Sequence, residues 1–493
     1  MDIRESENSN NAKAVSKDIN TLNKIAKEID DTKYERNLEL KDLFFAGYGF
    51  IIGAGIFTLM PFILKYSKGS SWLAFVVGGI ICILTGLSYA RLNLEYPTND
   101  AEYSWIRGIL KKEGDEEPNM LVEALAQGVI WIVMLIGLFN AATVLVGKAN
   151  FINSYVSMNK NILTLILISI VTILNCVGNK YSTAFNRYIM CIVTAGFVLL
   201  FGIAGFKGKY FKELRIIPKV ASNNISKGPI SGLMQSSFIT IFAFNGFQSL
   251  VQLSQEAKNP ADIPKGILSA IGATTGLYAL VAVSVVALLG VAFAKKSIFP
   301  ISDSFGVLFG SKGRDFVTLI SVIALMNTLM LIVLSRSRVL QKLAVEGIAP
   351  KIFKQLTSIK KIFSKNENFE SEEVVASNEE VSNNKEVSNN KENNKKEKTT
   401  LPINSIIAVS VATYLLTFVK DGALEGLANI TNSFIFFVFI LVNLLVLINY
   451  YKKKKHGKKD LENLPKILKK PWYAYLGLAV SVVYFGKSFS YSS

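Results

Sequence analysis

The chain has 493 residues, 50% hydrophobic and 18% charged, with a formal net charge of +17 and a mean hydropathy of +0.35. In a soluble protein that basic balance would point to nucleic acid, but a positive mean hydropathy over this length excludes an ordinary soluble domain and with it that partner. Aliphatic and aromatic residues are also too plentiful for the bulk of the chain to be disordered.

Residues 1–40 are polar and charged, rich in Asn, Lys, Ser and Asp. They show no basic region followed by an apolar one, so they predict a disordered cytoplasmic tail rather than a cleaved signal peptide. Eleven stretches without Asp, Glu, Lys or Arg follow: 43–64, 72–90, 124–147, 162–178, 188–206, 232–255, 267–294, 316–334, 403–419, 426–450 and 472–486. Most approach the roughly 20 residues a helix needs to cross the hydrocarbon core. None shows the charged face of a helix in a soluble protein, and helices satisfy their own backbone in lipid. The pattern predicts an all-α polytopic membrane protein with 11 transmembrane helices.

Residues 41–355 would carry helices 1–8, 356–400 a cytoplasmic low-complexity insert (EEVSNNKEVSNNKENNKKEK), and 401–493 helices 9–11. Lys and Arg gather mostly on the side that holds the N-terminus, which places that terminus in the cytoplasm of a plasma-membrane protein. One loop dissents: 207–230 carries six basic residues on the predicted outer side. Lys452–Lys455 would meet anionic lipid headgroups. Cys82, Cys176 and Cys191 lie within spans, and the sole histidine, His456, sits in a lysine-rich loop. There is no Walker A loop, zinc constellation or nucleophile–His pair, so neither an enzyme nor a cofactor is expected.

Two spans contain chain breakers at matching places. Span one reads Gly47-Tyr48-Gly49-Phe50-Ile51-Ile52-Gly53-Ala54-Gly55-Ile56-Phe57, four glycines in nine residues. Such glycines can serve close helix packing, or they can mark an unwound segment. Span six carries Phe242-Ala243-Phe244-Asn245-Gly246-Phe247, and Asn-Gly tolerates non-helical dihedrals. Interrupted helices five spans apart are a pointer to a secondary transporter built from inverted repeats. Helix N-termini at such a break favour a carboxylate and freed carbonyls favour an ammonium, so an α-amino acid suits both.

These residues resemble the amino acid permeases of the amino acid–polyamine–organocation (APC) superfamily. Ile52–Phe57 matches that family's Gly-Ser/Ala-Gly-Ile-Phe signature. Leu87-Ser88-Tyr89-Ala90, Pro97 and Ala101-Glu102-Tyr103 are similar to its Tyr-Ala-Glu-Leu…Pro…Gly-Gly-Glu-Tyr stretch. Phe242–Phe247 with Glu256, Lys258-Asn259-Pro260 and Ile263-Pro264 resembles its span-six motif, and Ser337-Arg338-Val339-Leu340 through Ala344–Pro350 its sequence after span eight. The resemblance implies a five-plus-five inverted-repeat (LeuT-like) fold with helices 1 and 6 broken. It implies that Ile52, Gly53, Ala54, Gly55 and Ile56 bind a carboxylate through backbone amides. It further implies that carbonyls around Phe242, Ala243 and Phe244, beside Asn245 and Gly246, bind an amine, with Phe244 or Phe247 closing over the substrate. Packing is the alternative for both rings.

Val193 stands where many proton-coupled members carry a buried lysine, and no span contains an ionisable group, so a proton relay has no obvious carrier. Na+ coupling at Asn327 and Thr328 remains open, as does simple exchange or facilitated diffusion. With no carboxylate in any span, a neutral amino acid is favoured over a polyamine or a cationic amino acid. Residues 148–161 lack Cys, so no disulfide-linked heavy chain is expected. Oligomeric state is left open. An amino acid sensor of the same fold, signalling through its tails, is the alternative. Gly55→Leu is expected to fill the break.

Overall fold

The computed structural model describes residues 38–98, 100–112, 115, 117–153, 155–177, 182–216, 229–254, 257–259, 261–355, 357–358, 400–418, 424–455 and 464–492. The tail before residue 38, the insert between 359 and 399, Glu256, Pro260 and His456 lie outside the described residues. In chain order the main helices are α1 (Leu40–Ile51), α2 (Ala54–Ser67), α3 (Ser71–Glu95), α4 (Ala101–Leu110), α5 (Met120–Asn153), α6 (Lys160–Val177) and α7 (Ser182–Lys207). They continue with α8 (Pro229–Phe244), α9 (Asp262–Leu289), α10 (Pro300–Val345), α11 (Ile403–Leu416), α12 (Leu424–Lys455) and α13 (Trp472–Ser492).

The described residues of the eleven charge-free segments lie mostly in helix, apart from interruptions such as those at 52–53 and 245–246. Seven helical stretches among the described residues are long and apolar enough to span a membrane: Gly55–Glu95, Met120–Asn153, Lys160–Val177, Met190–Lys207, Asp262–Leu289, Pro300–Val345 and Leu424–Lys455. The chain is thus a multi-pass helical membrane protein. Its outer surface fits that reading, because α6 and α7 turn Ile162, Leu165, Ile173, Ile192 and Leu199 outward where a soluble protein would place polar groups.

Packing gathers the broken helices at the centre. α9 lies against α3 and α1, while α2 and α3 both lie against α8. Around this group α5 packs on α10 and α12, and α12 on α13. Phe75, Tyr278, Phe244 and Phe247 fill the seams without exposure to solvent. At the α1 end, Lys258 donates its backbone N–H to Leu38 and its Nζ to Glu39 at 2.7 Å, so the start of α1 is tied to the chain beyond the second break. The described part of the 207–230 loop folds over the other end, where Glu213 accepts from the Val291 N–H at 2.6 Å and Arg215 N–H reaches Gly69. The strands β1 (Thr357–Ser358) and β2 (Thr400–Leu401) pair antiparallel, Thr357 opposite Leu401. The chain therefore leaves for the insert and returns at one point.

The expectation that no ionisable group enters a helical span needs correction. The charge-free stretches end where a charge appears, but the helices continue past it. Lys148 sits inside α5 and Arg91 inside α3, both buried, as is Arg336 in α10; Glu102 is buried too, in the short helix α4 outside the spans. Arg91 can be buried because Glu95 pairs with it at 2.9 Å and the Leu468 carbonyl accepts at 3.1 Å. Glu95 in turn pairs with Lys453 at 2.8 Å, which binds α3 to α12.

Candidate functional site

The first break is where the sequence places it. α1 stops at Ile51, Ile52 takes an extended conformation, and α2 restarts at Ala54. A side chain at Gly53 would collide with Thr328, its Cβ lying 2.2 Å from Oγ1, so glycine is required there by close approach. The second break follows Phe244, where α8 gives way to Asn245, Gly246 and a 3-10 turn over Phe247–Leu253. Gly246 has φ +132°, and a Cβ on it would lie 2.6 Å from the Phe50 carbonyl oxygen. Both reasons exclude other residues.

The two breaks touch. A Cβ at Gly55, in the first turn of α2, would lie 2.1 Å from the Ala243 Cα in the last turn of α8. The N-terminus of one helix, with N–H groups lacking intrahelical partners, thus adjoins the C-terminus of another, whose last carbonyls lack i+4 partners. Gly55 itself serves the close packing of α2 on α8, so Gly55→Leu acts by prising these helices apart rather than by filling the break. Tyr278 on α9, which sequence reasoning missed, links the breaks. Its hydroxyl lies 3.0 Å from the Ile51 carbonyl oxygen and 3.5 Å from that of Ala243.

Beside the breaks, toward the α1 end, a partly enclosed cleft is lined by Phe50, Asn245 and Gly246, together with Tyr89, Glu102, Asn140, Gln248 and Arg336. Its cavity volume is about 40 Å3, room for roughly three waters at ~10–15 Å3 each. This conformation is therefore closed down on the cleft. Of the residues picked out from sequence, only Asn245 and Gly246 line it. Ile52, Ile56, Phe242, Ala243, Phe244 and Phe247 are buried in the packing around the breaks. Phe244 packs on Tyr278 with ring centroids 5.6 Å apart, and Phe247 lies edge-on to Tyr89 at 5.7 Å, so both rings serve helix packing here.

The expected cation residues divide. Thr328 sits against Gly53 at the first break and donates its hydroxyl to the Ala324 carbonyl at 3.1 Å, while Asn327 is buried next to it. Val193 is buried too, and its neighbour Thr194 hydrogen-bonds Tyr48 of α1 at 3.0 Å.

Sequence reasoning passed over Glu102 and Arg336, which face the cleft. Glu102 accepts the Tyr89 hydroxyl at 2.6 Å and Arg336 donates Nη1 to the Val133 carbonyl at 3.1 Å. The signal was available in part: Glu102 belongs to the Ala101-Glu102-Tyr103 motif, whereas Arg336 lies one residue before the Ser-Arg motif.

Comparison with known proteins fits this architecture. The family model described as amino acid permease matches residues 38–492. The chain is 24% identical over 459 residues to cationic amino acid transporter 1 of Arabidopsis thaliana, covering 88% of this chain and 67% of that protein. It is 26% identical over 352 residues to the branched-chain amino acid permease BcaP of Bacillus subtilis, covering 66% and 70%, and 25% identical to a methylthioribose transporter of the same organism, covering 64% and 69%. Against the vacuolar cationic amino acid transporter 2 of Arabidopsis thaliana it spans only 51% of the relative's length. A match that begins two residues before α1 and ends with α13 takes in both broken helices and everything packed on them, and the chain belongs to the amino acid permease family.

Proposed function

We propose that the protein carries amino acids across its membrane by alternating access, with eleven spans arranged as a five-plus-five inverted repeat, the N-terminus in the cytoplasm and the plasma membrane as its site. Membership of a permease family makes it a transporter rather than an enzyme. The observation that carries the substrate class is the contact of Gly55 with Ala243, which sets the N-terminus of one helix beside the C-terminus of another. An α-carboxylate suits the first and an α-ammonium the second. Ile52, Gly53, Ala54, Gly55 and Ile56 would hold the carboxylate, and Phe242, Ala243 and Phe244 the ammonium.

A neutral side chain is the preferred cargo. Glu102 brings a carboxylate to the cleft, but Arg336 on the same cleft offsets it, leaving no net negative charge for a cationic side chain. A cationic amino acid is the second reading, favoured by Glu102 and by the names of several relatives. Na+ coupling would use Thr328 and Asn327 at the first break. Uptake of labelled leucine, alanine and lysine into proteoliposomes, with and without Na+ and a pH gradient, tests all of this. Transport of none of them under any condition would overturn the reading, and binding without flux would favour a sensor.

A further inference from the structure

Arg336 is nine-tenths buried, its Nε has no hydrogen-bond partner, and it forms no ion pair among the described residues. A buried guanidinium with an unsatisfied N–H and no salt bridge is costly, and a site that keeps one is set up to receive an anion. Gly137 makes the room: a Cβ there would lie 2.2 Å from Arg336 Cδ and 2.4 Å from Nε, so any larger residue would displace the side chain from the cleft. Glu102, itself buried, shares that cleft and accepts its hydrogen bond from the Tyr89 hydroxyl. A fixed cation and a fixed anion thus stand on one small cavity without a salt bridge between them among the described residues.

We propose that this pair forms a second binding station for a free amino acid, on the α1 side of the breaks, in which Arg336 takes the α-carboxylate and Glu102 faces the α-ammonium. The inference rests on the transport reading for its cargo but concerns a different place, since Arg336 and Glu102 stand on α10 and α4 and neither belongs to a break. Asn140, Gln248 and Ser249 supply neutral polar walls. The station is contracted in this conformation and would accept ligand once the α1 end opens. Cargo leaving the breaks would then exchange helix-terminus partners for side-chain partners of the same polarity before reaching water.

The test uses the full chain in detergent, with L-leucine and L-lysine and their carboxamides as probes. Wild-type protein is expected to bind each acid at least about tenfold more tightly than its amide, since a charge-assisted bond to the carboxylate is lost. Arg336→Gln should reduce that preference about threefold or more, the remainder being the hold of the breaks on the carboxylate, and Arg336→Lys should restore most of what is lost. In proteoliposomes, Arg336→Gln should raise the half-saturating concentration on the α1-end face about tenfold and leave the other face within about threefold. An acid preference unchanged in Arg336→Gln, or equal shifts on both faces, would overturn the station. If Arg336→Gln does not fold, Glu102→Gln reads the ammonium side of the station in the same two-face assay, and no effect there overturns it. Transport without any Arg336 dependence sinks the station alone. Arg336-dependent binding without transport sinks the transport reading and leaves the station.

Discussion

Single residues set the energetics of the breaks. Gly246 combines a φ reserved for glycine with a backbone oxygen 2.6 Å from where a Cβ would stand. Gly246→Ala should therefore destabilise the protein by about 1–3 kcal/mol, read as a lower Tm in detergent. Lys148 poses the opposite case. It is buried in α5 against the sulfur of Met326, a weak acceptor for an ammonium. Lys148→Met keeps the stem and removes the desolvated charge, so Tm should rise; a fall would show that the charge is used. These residues also mark the limit of what could be read in advance. The breaks were legible because Gly and Asn act on their own backbone. Lys148 and Arg336 were not, because hydropathy ends a segment at the first charge and cannot see the helix continue to Asn153 or Val345.

At the scale of elements, the α1 end is held by ion pairs that cross between helices. Lys258 binds Glu39, Arg187 binds Asp42 and Lys342 binds Asp100. The hydrogen bond and charge of Lys258, seconded by Lys41, hold the Glu39 carboxyl down at about 2 against an ordinary 4.5. A depressed carboxyl contributes fully above its unfolded value and loses that contribution as pH falls from there toward 2. Between pH 5 and 8 the clasp should be insensitive to pH, whereas Glu39→Gln should loosen it throughout. Labelling of Ser249→Cys, in a background without Cys82, Cys176 and Cys191, checks this with an impermeant thiol reagent: the rate relative to that of the denatured protein at the same pH, which removes the thiolate fraction, should be higher in Glu39→Gln and constant from pH 5 to 8 with Glu39 in place. Contacts of this kind join residues more than two hundred positions apart, as Glu39 and Lys258 are, and no local pattern announces them. Tyr278 was hidden for the same reason, being one more aromatic in an apolar helix until α9 is laid against α1.

For the whole molecule, the helical membrane architecture follows from the segregation of charge, which is a global property of the chain and so the most readable one. The pairing of β1 with β2 adds a prediction at this scale. Residues 359–399 leave and rejoin the transmembrane body across one antiparallel pair, so Asn-Gly placed between Ser358 and Thr400 should close the gap as a two-residue hairpin. That deletion is expected to leave uptake within about twofold and Tm unchanged, since shortening a loop whose ends already meet alters little. A large loss of uptake would assign the insert a role in transport.

The hydroxyl of Tyr278 has one hydrogen and two claimants, the carbonyls of Ile51 and Ala243. It can donate to only one of them at a time. A primary ammonium brings three N–H bonds. On the proposed reading its arrival would let each carbonyl have a donor of its own, which ties recognition of the amine to the relative position of the two half-helices. The number of N–H bonds on the ligand then becomes a graded variable: N-methyl-leucine should bind more weakly than leucine, N,N-dimethyl-leucine more weakly still, and Tyr278→Phe should steepen that series.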